Sequence, residues 1–209
     1  MSELQMQLQL RVEGLQCHIE DQPLFYPVSF LVSQGDVVLI VGPNGVGKST
    51  LLKTLLGFGG EYSGQLERLP QGPNCEQLHW LSHLEECDSM LSVAENLHFY
   101  FHMLGRLPNH NDIAQVLSQA GLSPVADQPV GQLSAGQKQR LKLSRLLLFP
   151  RPIWVLDEPF TALDQQGIAW LERVLEHHCE SGGMVVMSSH QPLSLKRPIQ
   201  QVSLTAFDA

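Results

Sequence analysis

The sequence is poor in basic residues and has no long apolar run. It carries 13 lysines and arginines against 21 aspartates and glutamates, a formal net charge of -8. Because phosphate backbones are bound through basic surfaces, this balance argues against nucleic acid as a partner. No apolar run approaches the roughly 20 residues that cross a bilayer, and the N-terminus lacks a basic-then-apolar leader. We therefore expect a soluble chain that reaches a membrane only through a partner.

Cysteine is also scarce, and its spacing excludes several kinds of site. The four cysteines, Cys17, Cys75, Cys87 and Cys179, are far apart, and no C-x-x-C occurs. This pattern excludes a zinc ribbon and a c-type haem attachment site. The length of 209 residues and the 43% hydrophobic content suit one α/β domain with a small inserted lobe.

One stretch matches the phosphate-binding pattern G-x-x-x-x-G-K-[ST]. An apolar strand-like run at 37–41 precedes it and a helical pattern at 51–56 follows. Glycines let the backbone curl until several N–H groups face one phosphate, and the next helix adds its positive N-terminal end. Lys48 would reach the β- and γ-phosphates, and the Ser49 hydroxyl would ligate Mg²⁺. The nucleotide-binding residues predicted are Gly42, Pro43, Asn44, Gly45, Val46, Gly47, Lys48, Ser49 and Thr50.

An acidic pair follows the apolar run at 153–156, which is predicted to be a buried strand. Ligands of open α/β sheets gather at the carboxyl ends of strands. Asp157 is placed there to hold Mg²⁺, and Glu158 could take a proton from the water that attacks the γ-phosphate. His190 follows another apolar strand pattern at 184–188 and would orient that water or bind the phosphate. A solvated acidic turn and a structural histidine are the alternative interpretations.

A second helix start carries a capping box, Ser134-x-x-Gln137, and opens a helix predicted to run to Phe149. Its N-terminus is another anion site. One chain that binds one ATP has little use for two such ends. Two chains that each lend the second end to the other's ATP would use both. This predicts a head-to-tail dimer closed on two nucleotides.

The remaining patterns place these motifs in the chain. Alternation predicts half-buried strands at 5–12 and 28–32, and a short apolar run predicts a strand at 78–81. Glycine and serine predict a loop around 59–64. Residues 84–130 form a predicted inserted helical lobe.

A further helix follows the acidic pair, and Asp164 is predicted to cap its start. His177 and His178 stand at its end. Their simplest interpretation is a favourable interaction with the helix dipole when they are protonated.

The order of these motifs resembles the ATP-binding cassette pattern over essentially the whole chain. The resemblance implies a single domain over 1–209, with the fold of a P-loop NTPase: an α/β mixed sheet, an antiparallel β edge and an inserted helical subdomain. It implies that a signature motif faces the γ-phosphate of a second copy, and that Asp164 links the two sites. The signature residues are Leu133, Ser134, Ala135, Gly136 and Gln137.

Two departures from the cassette pattern stand out. The family's adenine-stacking aromatic near residue 19 is missing from residues 17–20. Twelve residues before Glu95, where most cassettes have a glutamine, this chain has His83. In the family that position senses the γ-phosphate and Mg²⁺ and touches the membrane subunit, so the resemblance implies a role for His83 at the metal. That histidine and the amino-acid sequences of residues 132–137 and 152–164 resemble those of the cytochrome c biogenesis ATP-binding export proteins.

The resemblance implies an ATPase that uses ATP and Mg²⁺ and drives a transporter complex in c-type cytochrome biogenesis, by haem export or release of a haem carrier. The expected partners are integral membrane subunits at the cytoplasmic face of a bacterial inner membrane and a second copy of the chain. No nucleic acid is expected, and no direct haem site is evident. The alternatives are a subunit of another ABC importer or exporter and a soluble non-transport cassette protein.

Overall fold

The structure, a computed structural model, describes residues 8–69, 78–82, 87–103, 105, 110–148 and 151–207. The strands of these residues are β1 (Gln9–Ile19), β2 (Gln22–Pro23), β3 (Val28–Ser33), β4 (Val37–Val41), β5 (Tyr62–Leu69), β6 (Leu78–Leu81), β7 (Ile153–Asp157), β8 (Met184–Ser188) and β9 (Ile199–Ser203). The helices are α1 (Lys48–Leu56), α2 (Val93–Met103), α3 (His110–Gln119), α4 (Ala135–Leu148) and α5 (Gln165–Glu180), with 3-10 turns at Ser123–Val125 and Val130–Gln132.

Five strands form a sheet in the order β6-β7-β8-β4-β9. The pairs β7–β8, β8–β4 and β4–β9 are parallel. Every residue of β7 and β8 is buried, which explains why both strands have continuous apolar sequences rather than alternating ones. The strands predicted at 37–41, 78–81, 153–156 and 184–188 are confirmed.

A second sheet of four strands is antiparallel, and β1 pairs with β2, β3 and β5. The buried residues of β1 and β3 alternate with exposed ones, as predicted for half-buried strands. The antiparallel strands of the predicted α/β class therefore make a sheet of their own. The part of the predicted 5–12 strand before residue 8 lies outside the described residues.

The prediction of a loop around 59–64 is wrong for residues 62–64, because β5 begins at Tyr62. Gly64 has φ +91°, and a Cβ there would lie 2.3 Å from the carbonyl oxygen of Gly14, which itself has φ +57°. The β1–β5 register shifts at this point, between Glu13 and Gln16. The glycine that signalled a loop therefore marks a bulge where two backbones approach closely.

The chain divides into two compact units, and each is described by itself. The first contains residues 1–80, 151–158 and 174–209. Its core includes apolar residues of α1 and of strands from both sheets, and α1 packs on β7 and β8. Gly57, with φ +84°, ends α1.

The second unit contains residues 81–150 and 159–173. Helices α2, α3 and α4 pack against one another there. The predicted lobe at 84–130 falls inside this unit, which also takes in α4 and the first half of α5. None of the described helices is long and apolar enough to span a bilayer.

Asn96 fixes the entry to α2. It is buried, and its Nδ2 donates to the carbonyl oxygens of Asp88, Leu91 and Ser92 while its Oδ1 accepts from the Asp88 N–H. Ser92 and Glu95 form a reciprocal capping box at the same point. The loop before α2 is thus held by side chains as well as by backbone hydrogen bonds to residues 126–131.

His178 does not make the predicted charge–dipole interaction at the end of α5. Its ring stacks on Trp154, with centroids 3.6 Å apart and planes 7° from parallel, and its Nε2 is buried without a hydrogen-bond partner. Burial lowers the pKa of His178 to about 4, and backbone groups of Met184 and Pro152 oppose this only in part. His178 is therefore neutral at physiological pH, whereas His177 is exposed.

This burial predicts that acid destabilises the fold through His178. The unfolded histidine binds a proton near pH 6.5 and the folded one only near pH 4, so stability falls as pH drops between these values. From pH 7.5 to 5.5 the loss from His178 alone should be roughly 1 kcal/mol of unfolding free energy. Urea unfolding at both pH values checks this. In His178→Gln the unfolding free energy should decrease less between pH 7.5 and 5.5 than in wild type, whereas His177→Gln should show the wild-type decrease. Equal decreases in the two variants would contradict the assignment.

Candidate active site

The phosphate-binding loop joins β4 to α1, and two of its glycines are required by close contacts. A Cβ on Gly42 would lie 2.7 Å from the carbonyl oxygen of Leu204. A Cβ on Gly47, the N-cap of α1 with φ +106°, would lie 3.1 Å from the Phe25 ring. Gly45 has φ +80° and open space on the side of a Cβ. The loop conformation therefore needs glycine at these positions.

Lys48 is the first residue of α1 and folds back over this loop. Its Nζ donates to the carbonyl oxygens of Gly42 and Pro43 at 3.0 and 3.2 Å. The side chain is 7% exposed. Ser49 follows in the same helical turn, beside amides that have no intrahelical partner. A fixed cation, a hydroxyl and free N–H groups at one helix end are the donors that a polyphosphate needs.

The acidic pair lies where β7 and β8 end side by side. Asp157 is in register with Ser188, and the Ser188 hydroxyl donates to Asp157 Oδ1 at 2.7 Å. The same hydroxyl accepts from the backbone N–H of Glu158 at 2.9 Å. Ser188 thus orients the buried carboxylate and fixes the backbone of the next residue. Sequence reasoning missed it, although a serine that ends a buried strand two residues before His190 was a usable signal.

Three charged or titratable side chains converge above the loop. His190 Nε2 lies 3.1 Å from Lys48 Nζ and 3.1 Å from Glu158 Oε1. One ring nitrogen can either accept from the ammonium or donate to the carboxylate, and its tautomer decides which. If Lys48 turns towards a bound phosphate, Nε2–H can bond Glu158. The structure therefore joins Lys48, the predicted phosphate-binding residue, to Glu158, the predicted general base, through His190.

Glu158 also has a strained backbone. Its φ is +51°, which is uncommon for a residue with a side chain and costs on the order of 1–3 kcal/mol. The residue follows the last position of β7 and precedes Pro159. Its side chain is 23% exposed, whereas Asp157 is 3% exposed. The backbone thus turns Glu158 out of the strand alternation towards solvent, where a water molecule can reach it.

The signature residues lie in the second unit, at the start of α4. The predicted capping box is confirmed: Ser134 N donates to Gln137 Oε1 at 2.9 Å, and Gln137 N donates to Ser134 Oγ at 3.2 Å. Asp164 caps α5, because its Oδ1 accepts from the N–H of Gly167 at 2.8 Å. Leu133 is buried and Ser134 is exposed.

The predicted residues therefore fall into two groups. The loop at 42–50, Asp157, Glu158 and His190 meet in the first unit, while 133–137 and Asp164 belong to the second. His83 lies outside the described residues. The end of β1 bears no aromatic ring, and Ile19 there is 55% exposed.

The first group fits a nucleoside triphosphate with a divalent cation. Lys48 and the N-terminus of α1 supply the positive charge and N–H donors that phosphates need, and Ser49 and Asp157 supply hard oxygen donors of the kind that Mg²⁺ prefers. Within the described part of the chain, no cluster of three or more histidine, cysteine, aspartate or glutamate side chains could hold a metal alone. Mg²⁺ would then be held jointly with phosphate oxygens, as it is in P-loop enzymes.

A loop that requires glycine, a buried lysine and a carboxylate pair at the end of a buried parallel strand define an ATP-hydrolysing P-loop domain. The ABC transporter family matches residues 25–161. The chain is 40% identical to the cytochrome c biogenesis ATP-binding export protein CcmA of Escherichia coli O157:H7, over 94% of this chain and 96% of that protein. It is 42% identical to the corresponding Salmonella typhi protein, over 88% and 90%.

Solved structures agree with this result. An ABC transporter ATP-binding protein from Pyrococcus furiosus superposes with a TM-score of 0.80 at 25% identity, covering 92% of this chain and 96% of that one. An ABC transporter ATP-binding subunit gives 0.72 at 25% identity, covering 87% and 79%. The chain belongs to the ABC transporter ATPases, and within them to the family of cytochrome c biogenesis ATP-binding export proteins.

Proposed function

We propose that this chain is the ATP-hydrolysing, energy-coupling subunit of a membrane transporter complex that acts in c-type cytochrome biogenesis, by haem export or release of a haem carrier. The observation that carries the proposal is the contact between Lys48, His190 and Glu158 above the phosphate-binding loop. The transport role rests on the relatives, whose names state cytochrome c biogenesis and export and which match most of the chain.

The residues of the first unit divide the work of hydrolysis. Lys48 and the amides of the loop bind the β- and γ-phosphates and neutralise their charge. Glu158 accepts a proton from the attacking water, and His190 orients that water against the phosphate. Asp157 and Ser49 would hold Mg²⁺, which neutralises charge on the phosphate oxygens.

The second unit supplies the surface for a second copy. The start of α4 is a capped helix N-terminus with an exposed serine, which suits an anion. In a head-to-tail dimer each copy would present residues 133–137 to the γ-phosphate of the other, and Asp164 would link the two sites. Integral membrane subunits would hold the pair at the cytoplasmic face of the inner membrane, and His83 would report the nucleotide state to them.

Deletion of the gene and complementation with this chain test the proposal. Wild type should co-purify with integral membrane proteins from solubilised membranes and should restore covalently bound haem in c-type cytochromes. Haem staining of membrane proteins measures the second outcome. Normal c-type cytochromes in the deletion strain would overturn the biogenesis role, and a chain that remains outside the membrane fraction would overturn the transporter role.

A further inference from the structure

The segment at 159–164, between the acidic pair and α5, is fastened to the first turns of α4. The side chain of Gln139 donates from Nε2 to the carbonyl oxygen of Pro159 at 2.8 Å. Gln139 lies two residues after the signature motif, so this bond ties the start of the segment to the signature helix. All of these residues belong to the second unit.

A second fastening is a close backbone approach at Gly136. A Cβ there would lie 3.0 Å from the carbonyl oxygen of Ala162. Ala162 itself has φ +63°, an uncommon conformation for a residue with a side chain. The middle of the segment is therefore pressed against the signature glycine, and this costs backbone strain that the surroundings must offset.

The third fastening is an ion pair between Arg140 and Asp164. The guanidinium donates to Asp164 Oδ1, the oxygen that also caps Gly167. A Cβ added to Gly121 would lie 3.3 Å from the Arg140 guanidinium, and one added to Gly167 would lie 3.2 Å from Arg140 Nε. The Arg140 side chain thus fits between two glycines. The hydrogen bond from the Gly167 N–H holds the pKa of the Asp164 carboxyl below its usual value, and the bond from Arg140 contributes a smaller lowering.

The exposure of the two partners points to orientation rather than stability. The Arg140 side chain is 17% exposed, but that of Asp164 is 65% exposed. Ion pairs with such an exposed member add little to folding. A guanidinium held in a tight site can nevertheless fix the direction of an exposed carboxylate, because its fork of donors is rigid.

We propose that Arg140 is a positioning residue: it holds the segment at 159–164 against α4, so that Ser134 faces the second copy's nucleotide and Asp164 keeps its place between the two sites, as one rigid surface. This inference rests on the proposed head-to-tail dimer. It assigns to Arg140 a role in turnover that requires no contact with the nucleotide. Binding of ATP by the first unit should not depend on it.

A double-mutant cycle tests the lock in the complex co-purified with its membrane subunits. Arg140→Met should lower kcat for ATP about ten-fold, the loss expected for one hydrogen bond to a charged group. Asp164→Asn retains an oxygen for Gly167 but loses the charge, and it should have a similar effect. The double variant should be no worse than either single variant, because both remove the same contact. Arg140→Lys retains the charge but not the rigid fork of donors, so it should recover only part of the activity.

Three further measurements separate positioning from folding. KM for ATP should stay near the wild-type value in all four variants, and the melting temperature should shift by less than about 4 °C. Arg173→Met, an exposed arginine of α5 in the same unit, is the matched control and should retain wild-type kcat. Additive losses in the double variant, or a KM that rises with the kcat loss, would overturn the lock. A wild-type complex without ATPase activity would instead refute the proposed function.

Discussion

Lys48→Ala should reduce ATP hydrolysis to background, at least about 100-fold below wild type. Lys48 provides a positive charge inside the loop, and its Nζ is already held there by two carbonyl oxygens and faces His190. Removing it takes away a preorganised cation that stabilises the developing charge on the transferred phosphoryl group. It also breaks the contact through which the loop reaches Glu158. Steady-state phosphate release by purified protein measures the loss.

Lys53→Ala is the matched control for this prediction. Lys53 lies on the same helix but is exposed in its last turn, so its removal should leave phosphate release near the wild-type rate. Circular dichroism should show that both variants are folded. If Lys48→Ala retained more than a tenth of wild-type hydrolysis while folded, the assignment of this loop as the phosphate site would be wrong.

Much of the fold was predictable where a local pattern has one physical solution. Strands β7 and β8 are buried on both faces, so their apolar runs were unambiguous. The capping box at Ser134 and the cap at Asp164 were predictable, because both bonds span three residues and depend on no distant partner.

The errors arose where distant chain segments decide the structure. Glycine is typical of loops, yet Gly64 lies within β5. Its partner strand β1 has a glycine, Gly14, at the point of closest approach. Strand β9 is mostly polar and exposed, and its pairing with β4 defines it. No sequence window contains these pairings.

The site shows the same limit. The strand patterns placed Glu158 and His190 at one sheet edge, but they could not show that His190 contacts both Glu158 and Lys48. The roles of Ser188 and Arg140 were not predictable from local patterns, because Ser188 bonds the acidic pair about 30 residues away and Arg140 bonds a carboxylate 24 residues away. That of His178 was not predictable for a related reason, since its burial against Trp154 is a tertiary event that overrides the helix-end preference.

Glu158→Gln should bind ATP but hydrolyse it roughly 10²–10⁴ times more slowly than wild type. Glutamine has the size of glutamate and can still bond His190, and the backbone bond from residue 158 to Ser188 is unaffected. The change therefore removes only the capacity to accept a proton from water. Single-turnover hydrolysis and equilibrium ATP binding separate the two effects. A variant with near-normal turnover would show that Glu158 is not the base.

The same variant provides the sharpest view of the dimer, because a nucleotide that is bound and not consumed holds the closed state. Gel filtration with saturating ATP and the partner subunits should show Glu158→Gln as a dimer of this chain, and removal of ATP should return it to monomer. Glu180→Gln makes the same chemical change at an exposed position at the end of α5, and it should neither slow hydrolysis nor trap the dimer. If Glu158→Gln remained monomeric under these conditions, each ATP would be hydrolysed by one chain alone. The exposed Ser134 before α4 would then not bind the nucleotide of a second copy.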